Sequence, residues 1–208
     1  HSVTIDNSYF FFFLNVAGIA GAADSTKIYD CINNARIQGG SGVSCAAGIV
    51  ASASFDTTIT NCKNTGTIAG SKQVGGIAGE AIYGGVKIEK CRNEGVIRSG
   101  YSFIGGIVGS INGKETVIDC TNTGKVGSGG TVGGIVGYIQ SSDTKIERCS
   151  NFGDVNGGDA GGIVGLSNSP VINCVSQAKI TGAGSIGGIC GAIYNSVTNC
   201  YNNGSVSS

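Results

Sequence analysis

The chain has 208 residues, of which 38 are glycine, and its 13 basic and 13 acidic side chains cancel. Charged residues make up 12% of the chain, against about 25% in typical domains, and glycine is more than twice its usual share. One proline and no three-residue period exclude collagen, and 40% hydrophobic content argues against disorder. The zero net charge predicts no nucleic acid partner, and the sequence has no apolar run long enough to predict a membrane span.

The first segment is the most apolar part of the chain. It is too short to cross a bilayer, and it lacks the basic flank and cleavage site of a signal peptide. The chain begins at His1 without an initiator Met, so we expect a processed mature chain or an excised segment. We predict that residues 1–15 form a partial coil with an apolar arm and that residues 16–208 form a repeat domain. The residues of the arm are Tyr9, Phe10, Phe11, Phe12, Phe13 and Leu14.

Two short patterns alternate along the rest of the chain. One is a glycine-flanked apolar step, such as Val132 to Gly137, which occurs in seven copies from Val16 to Gly191. The other is a cysteine followed at alternate positions by Asn, Gly and an aliphatic residue. Successive cysteines of this kind are 31, 29, 29, 29, 25 and 26 residues apart, which indicates a stacked array. They are Cys31, Cys62, Cys91, Cys120, Cys149, Cys174 and Cys200.

The alternation after each cysteine predicts strands rather than helices. Cys91, Asn93, Gly95 and Ile97 share one parity, and polar residues stand between them, which is typical of a half-buried strand. A second strand precedes the cysteine, and the odd step from Ile88 to Cys91 requires a bend between the two strands. The glycine step supplies a third strand. We therefore predict an all-β parallel β-solenoid of about seven coils, with three short strands per coil.

The glycine step is similar to a known bacterial repeat. Gly106 to Gly109, Gly134 to Gly137 and Gly162 to Gly165 each read Gly-Ile-Val-Gly, which resembles the GLUG repeat of bacterial surface proteins, found also beside some IgA-specific metallopeptidases. The first two copies depart from the pattern, ending in Ala20-Gly21 and Val50-Ala51. The resemblance implies an extracellular or cell-surface repeat module, and it brings no catalytic residues with it.

The repeated cysteines and asparagines are predicted to form ladders inside the solenoid. Stacked cysteines one coil apart lie within the distance range of disulfides, but their parallel Cα–Cβ vectors favour free, buried thiols. The spacing does not fit a zinc site, so we predict no metal and no cofactor. A stack of identical amides satisfies itself because each side chain donates to the next. The predicted amide ladder consists of Asn33, Asn64, Asn93, Asn122, Asn151 and Asn202, with Ser176 as a substitute.

Catalytic residues are scarce in this sequence. The one histidine is His1, which leaves no Ser/His/Asp or Cys/His arrangement. Glu89 and Glu147 occupy the same outward position two coils apart, but aliphatic residues or threonine fill that position in other coils. We therefore predict that the protein is not an enzyme and keep a polysaccharide-processing β-helix as a distant alternative.

Self-association is the function that we favour at this stage. If the isoleucines of the glycine step point inward, strict alternation turns Val108, Val136 and Val164 outward. A strand that is apolar on both faces is normally covered on both, so we predict that these valines and the apolar arm contact neighbouring chains. The predicted role is a fibre or surface scaffold, through self-association or beside flanking domains of a longer surface protein. The alternative is an adhesin that binds glycans or host surface proteins.

Overall fold

The structure, a computed structural model, describes residues 2–5, 14–40, 42–70, 72–100, 102–127 and 129–208. Within those residues every regular element is a strand, and the strands form five parallel sheets. Each strand pairs with the equivalent strand of the next coil. The predicted parallel β-solenoid of about seven coils is confirmed. The prediction of three strands per coil is wrong, because each coil contains five.

The chain visits the five sheets in the same order in every coil, and we number them in that order. Sheet 1 contains Ser2–Ile5, Arg36–Gly39, Ile68–Gly70, Ile97–Ser99, Val126–Gly127, Val155–Gly157, Ile180–Gly182 and Val206–Ser207. Sheet 2 contains Leu14–Ala17, Val43–Ala47, Gln73–Gly75, Phe103–Gly105, Thr131–Gly133, Asp159–Gly161 and Ile186–Gly187. Sheet 3 contains Ala20–Asp24, Val50–Ser54, Ala78–Ile82, Val108–Asn112, Val136–Ile139, Val164–Ser167 and Cys190–Ile193.

The other two sheets are built from the shorter strands around the cysteines. Sheet 4 contains Lys27–Tyr29, Thr58–Thr60, Lys87–Glu89, Thr116–Ile118, Lys145–Glu147, Val171–Ile172 and Val197–Thr198. Sheet 5 contains Ile32–Asn33, Lys63–Asn64, Arg92–Asn93, Thr121–Asn122, Ser150–Asn151, Val175–Ser176 and Tyr201–Asn202. The pairing places Asn93 beside Asn64 on one side and Asn122 on the other, so equivalent side chains stack along the axis.

The corner between sheets 4 and 5 is made by one residue with a left-handed backbone. Lys90 has a φ of 53° and Arg148 a φ of 51°, a conformation that costs a residue with a Cβ on the order of 1 kcal/mol. This residue supplies the bend required by the odd step from Ile88 to Cys91, so both of those side chains are buried. The same corner position is left-handed in all seven coils, at Asp30, Asn61, Lys90, Asp119, Arg148, Asn173 and Asn199.

The interior has two apolar compartments. The larger lies among sheets 3, 4 and 5 and contains Ile107, Val108 and Cys120. The smaller lies between sheets 1 and 2 and contains Ile97 and Ile104. Most coils place an asparagine of sheet 5 between a cysteine of the larger compartment and an aliphatic residue of the smaller one, as Asn93 lies between Cys91 and Ile97 in the sequence.

The prediction that Val108, Val136 and Val164 face outward is wrong. All three are fully buried in the larger compartment of their own chain. Side chains alternate strictly only along one straight strand, whereas the chain bends at Gly106 and Ile107 between sheets 2 and 3. A Cβ built on Gly106 would overlap the carbonyl oxygen of Gly134, so only glycine permits this bend. The bend turns Ile107 and Val108 into the same core.

Most of the predicted apolar arm lies outside the described residues. The residues concerned are Tyr9, Phe10, Phe11, Phe12 and Phe13. Leu14 begins the first strand of sheet 2 and packs, half-buried, against the chain's own smaller compartment. The division of the chain at residues 15 and 16 stays a prediction, and the strand Leu14–Ala17 runs across it.

Candidate functional site

The amide side chains of sheet 5 form a continuous hydrogen-bonded ladder over five coils. The Nδ2 of Asn93 donates to Oδ1 of Asn122 at 2.7 Å, and the Nδ2 of Asn122 donates to Oδ1 of Asn151 at 2.7 Å. Asn33 and Asn64 make the same bonds with the coils that follow them. Each Nδ2 also donates to a carbonyl oxygen two residues ahead in its own coil, as Asn122 does to Gly124 at 2.9 Å. The ladder therefore satisfies buried polar groups that water cannot reach.

The ladder is interrupted where serine replaces asparagine. Ser176 lies between Asn151 and Asn202 in the register of sheet 5. Its side chain is fully buried, and its Oγ has no hydrogen-bond partner in the described structure. The hydroxyl is too short to continue the chain of amides, so this coil leaves a buried polar atom unsatisfied, which carries an energetic cost.

Replacing Ser176 with Asn is expected to stabilise the protein. The new amide accepts from Nδ2 of Asn151 and donates toward Asn202, and each added hydrogen bond contributes about 1 kcal/mol. We expect the free energy of unfolding, measured by urea denaturation, to rise by about 1 to 2 kcal/mol. The matched control is Ser150→Asn on the outer face of sheet 5, where the change should be below about 0.5 kcal/mol. Equal effects of the two substitutions would contradict the ladder as the cause.

The cysteines of the repeat form a second column beside the amides. All nine cysteines carry free thiols. The Sγ of Cys120 donates to the carbonyl oxygen of Ile118 at 3.3 Å and lies 3.5 Å from that of Ile88 in the preceding coil. Cys91 and Cys149 make equivalent contacts. The thiols thus bond to backbone carbonyls and pack as small apolar groups.

Burial raises the pKa of several thiols. It raises the pKa of the Cys120 thiol well above its ordinary value and raises that of Cys190 to about 12. The two cysteines outside the column are Cys45, which is buried in sheet 2, and Cys190, which begins the last strand of sheet 3. In the described part of the chain, no group of three or more His, Cys, Asp or Glu side chains is arranged to hold a metal ion.

A buried carboxylate that sequence reasoning missed holds one outer turn. Glu115 is 1% exposed, and its two carboxylate oxygens accept from the backbone N–H of Gly84 at 2.9 Å and of Val86 at 3.1 Å. Burial raises the pKa of Glu115 despite these two bonds. An alignment of the coils indicates that position 115 is buried, because the equivalent residues Thr57, Val86 and Thr144 are all buried.

Glu115 gives the stability a specific pH dependence. Its folded pKa lies above the unfolded value of about 4.3, so the folded state keeps a proton that the unfolded state has lost. This contribution is present below the unfolded pKa and is lost as the pH rises through the folded pKa. We expect the free energy of unfolding of the wild type, relative to Glu115→Gln, to be largest in acid and to fall toward neutral pH. Urea titrations across that range check this, and a difference that is independent of pH would contradict it.

An exposed aromatic pair lies at the adjacent corner between sheets 3 and 4. Phe55 and Tyr83 stack with their ring centroids 5.4 Å apart, and they are 46% and 70% exposed. Both have left-handed backbones, with φ of 52° and 67°. Glu115 supports this turn because it binds the N–H of Gly84, next to Tyr83. The pair is therefore a fixed apolar platform on the surface.

The outer surfaces of sheets 4 and 5 carry paired charges. Glu94 lies 3.0 Å from Lys63 and 2.7 Å from Arg92. Arg148 contacts Asp119 at 2.8 Å, and this guanidinium holds the pKa of Asp119 below its ordinary value. Glu147, one of the two carboxylates considered above for catalysis, contacts Lys145 and Arg148, and its pKa is likewise lowered by these cations. These carboxylates are thus neutralised by cations of the same coil and of neighbouring coils.

Comparison with known proteins shows the fold and little more. A scan against known protein families found no match, and a search of curated proteins found none. A search of solved structures found a candidate immunoglobulin A1 protease from Bacteroides ovatus, with a TM-score of 0.52 and 20% sequence identity. The alignment covers 90% of this chain and 66% of that chain. The likeness supports a β-solenoid fold, and the GLUG resemblance stays a prediction. Among the described residues, no helix is long and apolar enough to cross a membrane.

Proposed function

We propose that this chain is a non-enzymatic structural module of the bacterial cell surface that assembles head to tail through the axial faces of its end coils. The observation that carries this proposal is the exposure of core positions at both ends of the described stack. Val197 is 43% exposed although its register partner Val171 is fully buried. Val206 is 44% exposed although its partner Ile180 is fully buried.

The first coil has the same character. Ile19 is 46% exposed, whereas Ile49 at the same position of the next coil is fully buried. Ile28 is partly exposed, and its partner Ile59 is fully buried. Each end therefore presents apolar side chains and open strand edges, a combination that readily adds further strands.

A second copy of this chain is the occupant to which we commit. Its coils have the same five strands and the same spacing along the axis, so its first coil matches the hydrogen-bonding edge and the apolar positions of the last coil. A contact between two different faces of one chain is heterologous and propagates into a filament. The surface location rests on the GLUG resemblance and the shared fold. The activity named for the neighbouring structure is not carried over, because likeness at this identity concerns the fold alone.

The test is the assembly state of the 208-residue chain. We expect light scattering to show mass growing with protein concentration and negative-stain images to show filaments one solenoid wide. Val197→Lys places a charge on the axial face and should abolish this growth. Val96→Lys is the matched control, because Val96 is 41% exposed on the side of the solenoid, and it should assemble as the wild type does. A chain that stays monomeric at every concentration would overturn the proposal.

Glycan adhesion is the second candidate function, favoured by the exposed aromatic residues. Phe55 and Tyr83 form a rigid platform, and Phe152 and Tyr201 are 46% and 57% exposed elsewhere on the surface. Flat aromatic faces with a polar edge suit sugar rings. On a glycan array, the loss of binding upon Tyr83→Ala, Phe152→Ala or Tyr201→Ala would support adhesion. An array without any bound glycan would remove this candidate.

A further inference from the structure

The outer face of sheet 1 carries an excess of basic side chains. Among the described residues, this face comprises the outward positions of the sheet 1 strands and the outward residue just before each strand. It contains four basic residues and one acidic residue, although the whole chain is neutral. The acidic residue is Asp154, and it contacts Lys125 only loosely, at 3.7 Å. The basic residues are Arg36, Arg98, Lys125 and Lys179. The cations of this face are therefore only partly neutralised by the protein.

Cations on the opposite side of the molecule are more often held in ion pairs, although Lys27 and Lys87 of sheet 4 also have no carboxylate within 4.0 Å among the described residues. On sheets 4 and 5, Lys63 and Lys145 each lie within 3.0 Å of a carboxylate. On sheet 1, Arg98 and Lys179 have no carboxylate within 4.0 Å among the described residues. Unpaired, exposed cations on one face create a local positive potential that attracts anions.

The same face contains a hollow between coils. Gly127 lacks a side chain between Arg98 and Asn156 in the outward column of sheet 1. The resulting surface hollow has a volume of about 350 Å³. Its charged and polar lining residues are Arg98, Lys125, Asp154, Asn156, Lys179 and Thr181, and Gly127 and aliphatic residues complete the lining. The Nδ2 of Asn156 donates to Oγ1 of Thr181 at 2.7 Å, which holds two polar side chains at its edge. Three cations, one carboxylate and two hydrogen-bonding side chains thus surround an open hollow with a net positive charge.

We propose that this face binds an acidic polysaccharide, with sugar residues in the hollow at Gly127 and their carboxylates paired with Arg98 and Lys179. The charge of the face is complementary to such a chain, and Asn156 and Thr181 supply groups that bond to hydroxyls. Single-stranded nucleic acid is disfavoured because no aromatic side chain of the hollow offers a stacking surface. This site lies along the side of the solenoid, so it does not depend on assembly through the axial ends.

The experiment measures binding of fluorescent oligogalacturonate to the 208-residue chain by anisotropy. Arg98→Gln/Lys179→Gln should weaken binding at least about tenfold. The matched control is Lys63→Gln/Lys145→Gln, which removes the same charge from ion-paired positions and should change binding less than about twofold. Light scattering of the same samples records the assembly state, so a failure of assembly is distinguished from a failure of binding.

Three further measurements define the chemical class of the ligand. Neutral dextran should not bind, and added salt should weaken oligogalacturonate binding because the contacts are exposed ion pairs. Polyglutamate and oligo-dT should compete poorly, because they lack the hydroxyl pattern that Asn156 and Thr181 recognise. The proposal is overturned if oligogalacturonate does not bind, if both double variants lose binding equally, or if dextran, polyglutamate or oligo-dT binds as well.

Discussion

Replacing Asn122 with Leu is expected to destabilise the solenoid by roughly 3 to 5 kcal/mol. The substitution conserves volume but removes the hydrogen bonds to Asn93, Asn151 and the carbonyl of Gly124. One N–H of Asn93 and the carbonyl of Gly124 then lose these partners, at a cost of about 1 to 3 kcal/mol each, while Oδ1 of Asn151 keeps the N–H of Gly153. Urea denaturation, followed by circular dichroism, measures the free energy of unfolding.

The control for this prediction is Asn112→Leu. Asn112 ends a strand of sheet 3 and is exposed, so its replacement should change the free energy of unfolding by less than about 0.5 kcal/mol. If Asn122→Leu unfolded at the same urea concentration as the wild type, the amide ladder would contribute nothing to the stability of the fold. Apolar packing alone would then determine the register between the strands of neighbouring coils.

Replacing Gly124 with Ala is expected to have the second large effect. A Cβ built on Gly124 would overlap the carbonyl oxygen of Gly95 in the preceding coil, and both atoms belong to paired, buried backbone. Relief requires neighbouring coils to separate, which breaks ladder bonds on both sides. We expect a loss of at least about 3 kcal/mol, visible as a large fall in the urea midpoint or as insoluble protein.

Gly100→Ala is the matched control for the glycine test. A Cβ at Gly100 meets no atom within 4 Å, and no positive φ constrains it. Its replacement should leave stability unchanged or raise it by about 0.4 to 1 kcal/mol through the unfolded chain. Equal destabilisation by Gly124→Ala and Gly100→Ala would show that the loss does not come from a close approach between coils.

The sequence alone supports the solenoid because one coil is repeated seven times. Every second residue after Cys91 is one that suits the interior, and polar residues stand between them. This alternation predicts strands and identifies the side chains that face the interior. The odd step between Ile88 and Cys91 also predicts a corner. The residue at that corner is Lys90, whose left-handed backbone no propensity scale favours, and only the stacked coils on either side hold it there.

Parity fails where glycine lets the chain change direction. The run from Ile104 to Val108 reads as one strand that is apolar on both faces, yet it belongs to two sheets joined by a bend. Side chains on either side of a bend do not alternate, and their directions depend on the close approach of Gly106 to Asn122 across the interior. That approach is a tertiary contact, so the local sequence does not contain it.

Surface chemistry is predicted less well than the interior because charges act across coils. Arg148 and Asp119 are 29 residues apart in sequence and pair only because the coils stack. The unpaired cations of sheet 1 become evident only when all outward positions of one sheet are read together. Glu115 is recognised as buried only beside Val86 and Thr144, its neighbours in adjacent coils.

The most direct test of the stacked coils is nuclear Overhauser spectroscopy of the asparagine side chains in an isotope-labelled chain. We expect cross-peaks that connect the side-chain NH₂ groups of Asn64, Asn93 and Asn122 in that order, with slow exchange of these protons against deuterated water. Absence of these cross-peaks, together with rapid exchange of all three amides, would contradict the ladder and the in-register solenoid.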